Sequence, residues 1–221
     1  MTTPHVHGTP APAVEGPEVK SWKLLATLGV GGAIAGGLIV VAYNATLPRI
    51  EAHRAMLVQS AVREVLKEPA RWDTLYLVEG KLTKTTPTGP GAKGVERVFL
   101  GFDDAGKTVG AAVTAGEPGF ADVIDLIFGI EPETGTLLGM KVLGEKETPG
   151  LGDKIEKPAF TGQFAGALTP LKGVKAKGTD KSEVQTITGA TISSRTVIRI
   201  INNATARWQP LLQAYLRGGT T

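Results

Sequence analysis

Twenty consecutive residues, Leu24 to Tyr43, contain no Asp, Glu, Lys or Arg. No other stretch restricts the folding of this chain as strongly. As a helix the run extends ~30 Å, the depth of a bilayer hydrocarbon core. Trp22 and Tyr43 bracket it, where interfacial aromatics sit. The run exceeds the apolar part of a typical cleavable signal peptide, and no convincing Ala-x-Ala site follows it. A retained single-pass anchor in the lipid bilayer is therefore expected over residues 21–46. Within it, Gly32-Ala33-Ile34-Ala35-Gly36 places two glycines four apart, a spacing that lets helices approach closely in lipid. The nearby Gly29, Gly31 and Gly37 make that spacing easy to reach by chance. Lys20 and Lys23 precede the span and Arg49, Arg54 and Arg63 follow it, so basic residues alone do not orient it.

The flanks divide the remainder. Residues 1–20 are rich in Pro, Gly and small side chains and are expected to be disordered. His5 and His7 lie in that tail and read as part of a disordered end, not as a metal site. Between Pro48 and Leu66, apolar residues at helical spacing predict a juxtamembrane helix (residues 47–69), ended at Glu68-Pro69. Thr83 to Gly94 reads as a linker. Strand-like segments follow at Val95–Phe102, Thr108–Ala115, Val123–Ile130 and Thr136–Leu143. The turn-forming runs Asp103–Gly106 and Glu131–Gly135 join them in antiparallel pairs. A short helix is expected over Pro158–Leu168 and a longer one within Ile192–Leu216. The fold class is α+β: an antiparallel-sheet domain over residues 70–217, tethered by one N-terminal transmembrane helix.

Composition removes several chemistries. The chain has 0 cysteines, which excludes thiolate-ligated clusters and metals, disulfides and cysteine nucleophiles. Histidines number 3, and His53 reads as the polar face of a helix, so no metal site is expected. The net charge of +3 is scattered, without the basic-aromatic clustering of a nucleic-acid surface. No dinucleotide glycine fingerprint follows a strand.

Two motifs carry the chemistry. Residues 185–195 read Gln-Thr-Ile-Thr-Gly-Ala-Thr-Ile-Ser-Ser-Arg. Within them Thr188-Gly189-Ala190-Thr191 precedes an apolar, helix-like stretch. Alone, such a tetrapeptide also suits a strand-to-helix turn capped by Thr188 or Thr191. No general base accompanies Thr191 or Ser193, so self-catalysed hydrolysis finds no support and no catalytic residue is assigned. The second motif, Glu147-Thr148-Pro149-Gly150-Leu151-Gly152, has Pro and Gly where a type II turn wants them. A turn does not require the flanking Glu147, Thr148 and Leu151.

Together these motifs resemble the FMN-binding domain family that includes the G subunit of the Rnf electron-transport complex. The C subunit of the sodium-pumping NADH:quinone oxidoreductase is related. The extension Asp153-Lys154-Ile155 looks more like the Rnf protein. The resemblance implies covalent FMN, esterified to Thr191 by a separate flavin transferase, with Thr188, Gly189 and Ala190 forming the attachment loop. It also implies that Glu147, Thr148, Gly150, Leu151 and Gly152 line the flavin, and that Glu147 or Lys154 biases its charge. An ester phosphate on Thr191 would sit at a helix start, where N–H groups favour an anion, with Arg195 as a further contact.

By the same resemblance, the chain is a redox subunit, not catalytic alone, of an ion-translocating complex moving electrons between ferredoxin and NAD. Its partners would be membrane and iron–sulfur subunits, and its domain would face outward from the cytoplasmic membrane. A component of the sodium pump and a stand-alone extracytoplasmic flavin carrier are alternatives. The family motif carries Asp six residues before the modified hydroxyl, where this chain has Gln185. That departure motivates a further alternative, an anchored interaction domain without flavin.

Overall fold

The computed structural model describes residues 20–88 and 94–218. The tail at 1–19, with His5 and His7, lies outside the described residues, as do positions 89–93 of the Thr83–Gly94 linker. The chain divides into two units, Met1–Ala52 and His53–Thr221.

The first unit is helical from Ser21 onward. Helix α1 (Ser21–Val65) begins in it and ends in the second unit. Its apolar side chains from Leu24 to Tyr43 are all exposed, and among the described residues it alone is long and apolar enough to cross a membrane. Separate anchor and juxtamembrane helices were expected, but one helix runs through Pro48. Proline withholds an N–H from the carbonyl four residues back. Just before it, the Thr46 hydroxyl donates to the carbonyls of Ala42 (2.9 Å) and Tyr43 (3.1 Å), a back-bonding pattern that accompanies helix bends. The helix closes at its far end in a Schellman motif. Glu68 N–H donates to Arg63 O and Lys67 N–H to Glu64 O, with Lys67 at φ 57° in place of the usual glycine.

The second unit is built on a six-stranded antiparallel sheet, with β1 (Arg71–Val78), β2 (Lys81–Thr83), β3 (Arg97–Phe102), β4 (Thr108–Pro118), β5 (Val123–Ile130) and β6 (Leu137–Gly144). Their spatial order is β2-β1-β3-β4-β5-β6. The predicted hairpins β3–β4 and β5–β6 are present. The β1–β2 hairpin lies where the sequence suggested no strands. Both faces of the sheet are buried at its centre. Val98, Leu100, Val113, Leu126 and Phe128 point to one side and meet Val197, Ile201 and Trp208 of helix α3 (Thr191–Gly218). The alternate residues Phe99, Ala112 and Ile127 meet Ala61, Val62, Val65 and Leu66 at the end of α1. A strand's period of two thus feeds two separate cores.

The link from β6 to α3 carries a 3₁₀ turn (Gly152–Glu156), the one-turn helix α2 (Pro158–Thr161) and a parallel pair, β7 (Lys172–Val174) with β8 (Glu183–Gln185). The helix expected over Pro158–Leu168 is shorter, ending at Thr161 with Gly162 as its C-cap, and the segment cannot resume as a helix through Gly166. Gly166 has φ +78°, outside the helical region. Ties from α3 hold the end of β4: Arg199 Nε donates to Glu117 (2.6 Å), Arg199 Nη2 to Pro118 O (3.0 Å) and Asn203 to Glu117 (2.8 Å). The loop that follows β4 therefore lies beside the first turns of α3.

Candidate functional site

Three segments converge there. The β4–β5 loop (residues 119–122) supplies Phe120, the loop after β6 supplies Glu147, Thr148, Leu151 and Gly152, and the start of α3 supplies Gly189 to Ser193. They line a cleft of about 430 Å³. Phe120, Leu151 and Ile192 keep 64%, 43% and 55% of their surface exposed, so the mouth of the cleft is apolar.

Each loop has a local reason for its shape. Leu151 and Gly152 N–H both donate to Thr148 O (3.1 and 2.9 Å), and Gly150 takes φ +76°. This is the type II geometry that Pro149-Gly150 implies. Ahead of α3, Ala190 N–H donates to Ile187 O (3.0 Å) across Thr188-Gly189, with Gly189 at φ +86°. The Ser194 hydroxyl accepts from Ile187 N–H (3.0 Å) and donates to Ala190 O (2.9 Å), fixing the turn to the helix.

Glu147 joins all three segments. Its Oε1 accepts from the N–H groups of Phe120 (2.9 Å) and Ala121 (3.1 Å), and its Oε2 accepts from the Ser193 hydroxyl at 2.6 Å. The side chain is 5% exposed. Burial pushes this carboxyl up, but the Ser193 hydroxyl and the backbone N–H groups of residues 120–122 outweigh it and hold it below its ordinary 4.5. Glu147 therefore stays ionised, its charge satisfied inside the wall of the cleft. A folded-state value below the unfolded one contributes stability above pH 4.5, lost as pH falls through the lower value. Glu147→Gln should flatten that acid loss. Melting temperatures against pH should converge for wild type and variant at the acid end and diverge at neutral pH. Parallel curves would deny the carboxylate this role.

The hydroxyls in and next to residues 185–195 are sorted by the fold. Ser193 and Ser194 are buried and bonded within the protein. Thr196 is buried as well, and Thr186 donates to Val174 O. Thr188 is exposed but lines a neighbouring cleft with Lys154, Lys157 and Gln185. Among these hydroxyls, Thr191 alone is both exposed and part of the 430 Å³ cleft. It is also the first residue of α3, whose first recorded helical bond is Ser194 N–H to Ala190 O. The N–H groups of Thr191, Ile192 and Ser193 thus have no helical acceptor.

The other predicted residues are distributed unevenly. Gly189, Ala190, Thr148, Leu151 and Gly152 line the cleft with Thr191, whereas Gly150, Thr188 and Lys154 lie outside that lining. Arg195 does not line it either: its Cγ lies beside Gly173, 3.8 Å from where a Cβ would stand. Phe120, Ile192 and the Ser193–Glu147 bond escaped the sequence reading. An aromatic in the tight Gly119–Asp122 loop was the signal for Phe120, but Ser193 had none beyond its closeness to Thr191.

The set fits an FMN phosphate ester: an accessible hydroxyl, adjacent helix N–H groups that favour an anion, and an apolar wall nearby. The comparisons point to FMN as the ligand. Residues 119–206 match the family model described as the FMN-binding domain. The match begins at the cleft loop and includes all three segments. The G subunit of the ion-translocating oxidoreductase complex of Salmonella typhi is 32% identical over 191 residues, spanning 80% of this chain and 86% of that protein. The protein of the same name from Methanosarcina acetivorans is 29% identical over 182 residues, or 82% and 91% of the two chains. The crystal structure of Shewanella oneidensis NqrC superposes with a TM-score of 0.61 at 21% identity, covering 74% of this chain and 100% of that one.

Proposed function

This chain belongs to the family of G subunits of ion-translocating oxidoreductase complexes, and from that membership we propose that it carries FMN as an ester on Thr191 and passes electrons within such a complex. The single observation carrying the assignment is Thr191: the one hydroxyl of its motif that is exposed, in the cleft and at a helix start. Bound FMN supplies one- and two-electron transfer. The residues of the chain do the rest. The free N–H groups of Thr191 to Ser193 hold the phosphate, Leu151 and Phe120 give an apolar surface that excludes water, and Thr148 offers a hydroxyl to a polar edge. Gly189 keeps the attachment loop small enough to enter a flavin transferase.

The relative from Acetobacterium woodii is named as part of a Na(+)-translocating ferredoxin:NAD(+) oxidoreductase complex and is 29% identical over 201 residues. We assign this chain the same place, beside membrane and iron–sulfur subunits, with lipid around residues 21–46. Two measurements test the assignment. Protein purified from membranes and denatured should keep flavin fluorescence in a gel, and its peptides should carry the FMN mass on Thr191. Absence of both would favour an anchored domain without flavin, the reading that Gln185 motivates.

Orientation is tested separately. The resemblance implies that the large unit lies on the outer side, and the basic residues after the span do not oppose this, because long domains cross the membrane largely regardless of charge. Protease added to intact spheroplasts should remove it and leave a short protected fragment. Full protection would reverse the orientation, and a mature N-terminus near residue 45 would mean a cleaved signal.

A further inference from the structure

An ester to Thr191 fixes only one end of FMN. The ring is carried at the end of a ribityl chain with several free rotors, so its position depends on the walls it meets. Those walls come from segments far apart in sequence: Glu147 is 46 residues from Ser193 and 26 from Ala121. Without a tie they would be set only by the strands and helix behind them. The structure has such a tie. Ser193 projects from the turn of α3 that carries Thr191 and donates to Glu147 at 2.6 Å, and Glu147 in turn holds the Phe120 and Ala121 amides.

The surroundings are fitted to this arrangement. A Cβ on Gly119 would overlap Glu147 Oε1, and one on Gly152 would come within 3.0 Å of Oε2 and 3.1 Å of Ser193 Oγ. Both neighbouring glycines thus leave room for the carboxylate. Ser193 is 2% exposed and does not compete with Thr191 as a modification site. Glu147 is the one charged side chain lining the cleft among the described residues, and Asp122 of the neighbouring loop is engaged with Lys146 and with Val123 N–H. Glu145 accepts from the Glu147 N–H.

We propose that Ser193 is a positioning residue for the flavin: through Glu147 it locks the start of α3 to the Phe120 and Leu151 walls, so that the cleft is formed before FMN arrives and restrains the ring afterwards. This rests on the flavin reading above, but its first test does not need flavin.

The test compares the full-length protein in detergent with its Ser193→Ala variant, which loses one buried oxygen. In flavin-free protein, the Phe120 and Ala121 amides should exchange about tenfold faster in the variant, while β4 and β5 amides are unchanged. In the flavin-loaded fraction, fluorescence anisotropy should decay faster and the midpoint potential should move towards that of free FMN. A purely structural serine would leave potential and ring mobility as they are. Unchanged exchange at Phe120 and Ala121 would overturn the lock, and unchanged anisotropy and potential would overturn its role in positioning. If wild-type protein takes no flavin, the functional reading fails while exchange still decides the lock.

Discussion

Thr191→Ala should yield a folded protein with no covalent flavin. The side chain is exposed, and no hydrogen bond from its hydroxyl is recorded among the described residues. Its loss should cost within about 0.5 kcal/mol, as for other surface changes away from special features. Alanine is also the best helix former, so the first turn of α3 stays intact. In-gel fluorescence should therefore vanish while the melting temperature hardly moves. Thr191→Ser keeps the hydroxyl and should retain the adduct. Ser194→Ala gives the contrast, because that hydroxyl accepts from Ile187 N–H at 3.0 Å and donates to Ala190 O. It should lose about 1–3 kcal/mol by leaving a part-buried N–H unpaired, yet the adduct should stay on Thr191. Full fluorescence in Thr191→Ala would sink the attachment assignment.

Which parts of this molecule could be read from the chain follows from how local each signal is. The Pro149-Gly150 turn and the β3–β4 and β5–β6 hairpins depend on neighbouring residues, and the structure has them where the sequence put them. The β1–β2 hairpin was invisible for a physical reason. It turns at Glu79-Gly80 with φ 49° and 79°, a left-handed pair in which glutamate replaces the usual Asn or Asp. Its second strand is only three residues long, as are β7 and β8. Periodicity needs more length than that.

The candidate site divides in the same way. The attachment and turn motifs are contiguous, so their residues were identifiable. The Glu147 role was not, because its partners Phe120, Ala121 and Ser193 are distant in sequence. A glutamate before a turn reads as a flavin contact or a surface charge. Only the fold turns its carboxylate into the wall.

Gly152→Val is where these two readings of the site diverge most. The motif resemblance suggests that Gly152 is small so that a flavin ring can approach. The structure gives it a different neighbour: a Cβ there would stand 2.6 Å from Glu147 Cβ and 3.1 Å from Ser193 Oγ. Contacts that short cannot be accommodated without moving the loop or breaking the Ser193–Glu147 bond. Overpacking of this kind costs about 1–3 kcal/mol, and the larger figure applies where a buried carboxylate also loses a donor. For a unit of this size the larger figure is a fall in melting temperature of about 6–12 °C.

The decisive sample is flavin-free protein, made in the Thr191→Ala background, because a ring cannot be crowded where none is present. Gly150→Ala serves as the comparison. Its φ of +76° strains any side chain, but a Cβ there meets nothing within 4 Å, so about 1 kcal/mol is expected. Gly152→Val should be the more damaging of the two without flavin, and hydrogen exchange at Phe120 and Ala121 should rise with it. If flavin-free Gly152→Val melts like its parent, the glycine serves the cofactor, and the close packing around Glu147 does not explain its size.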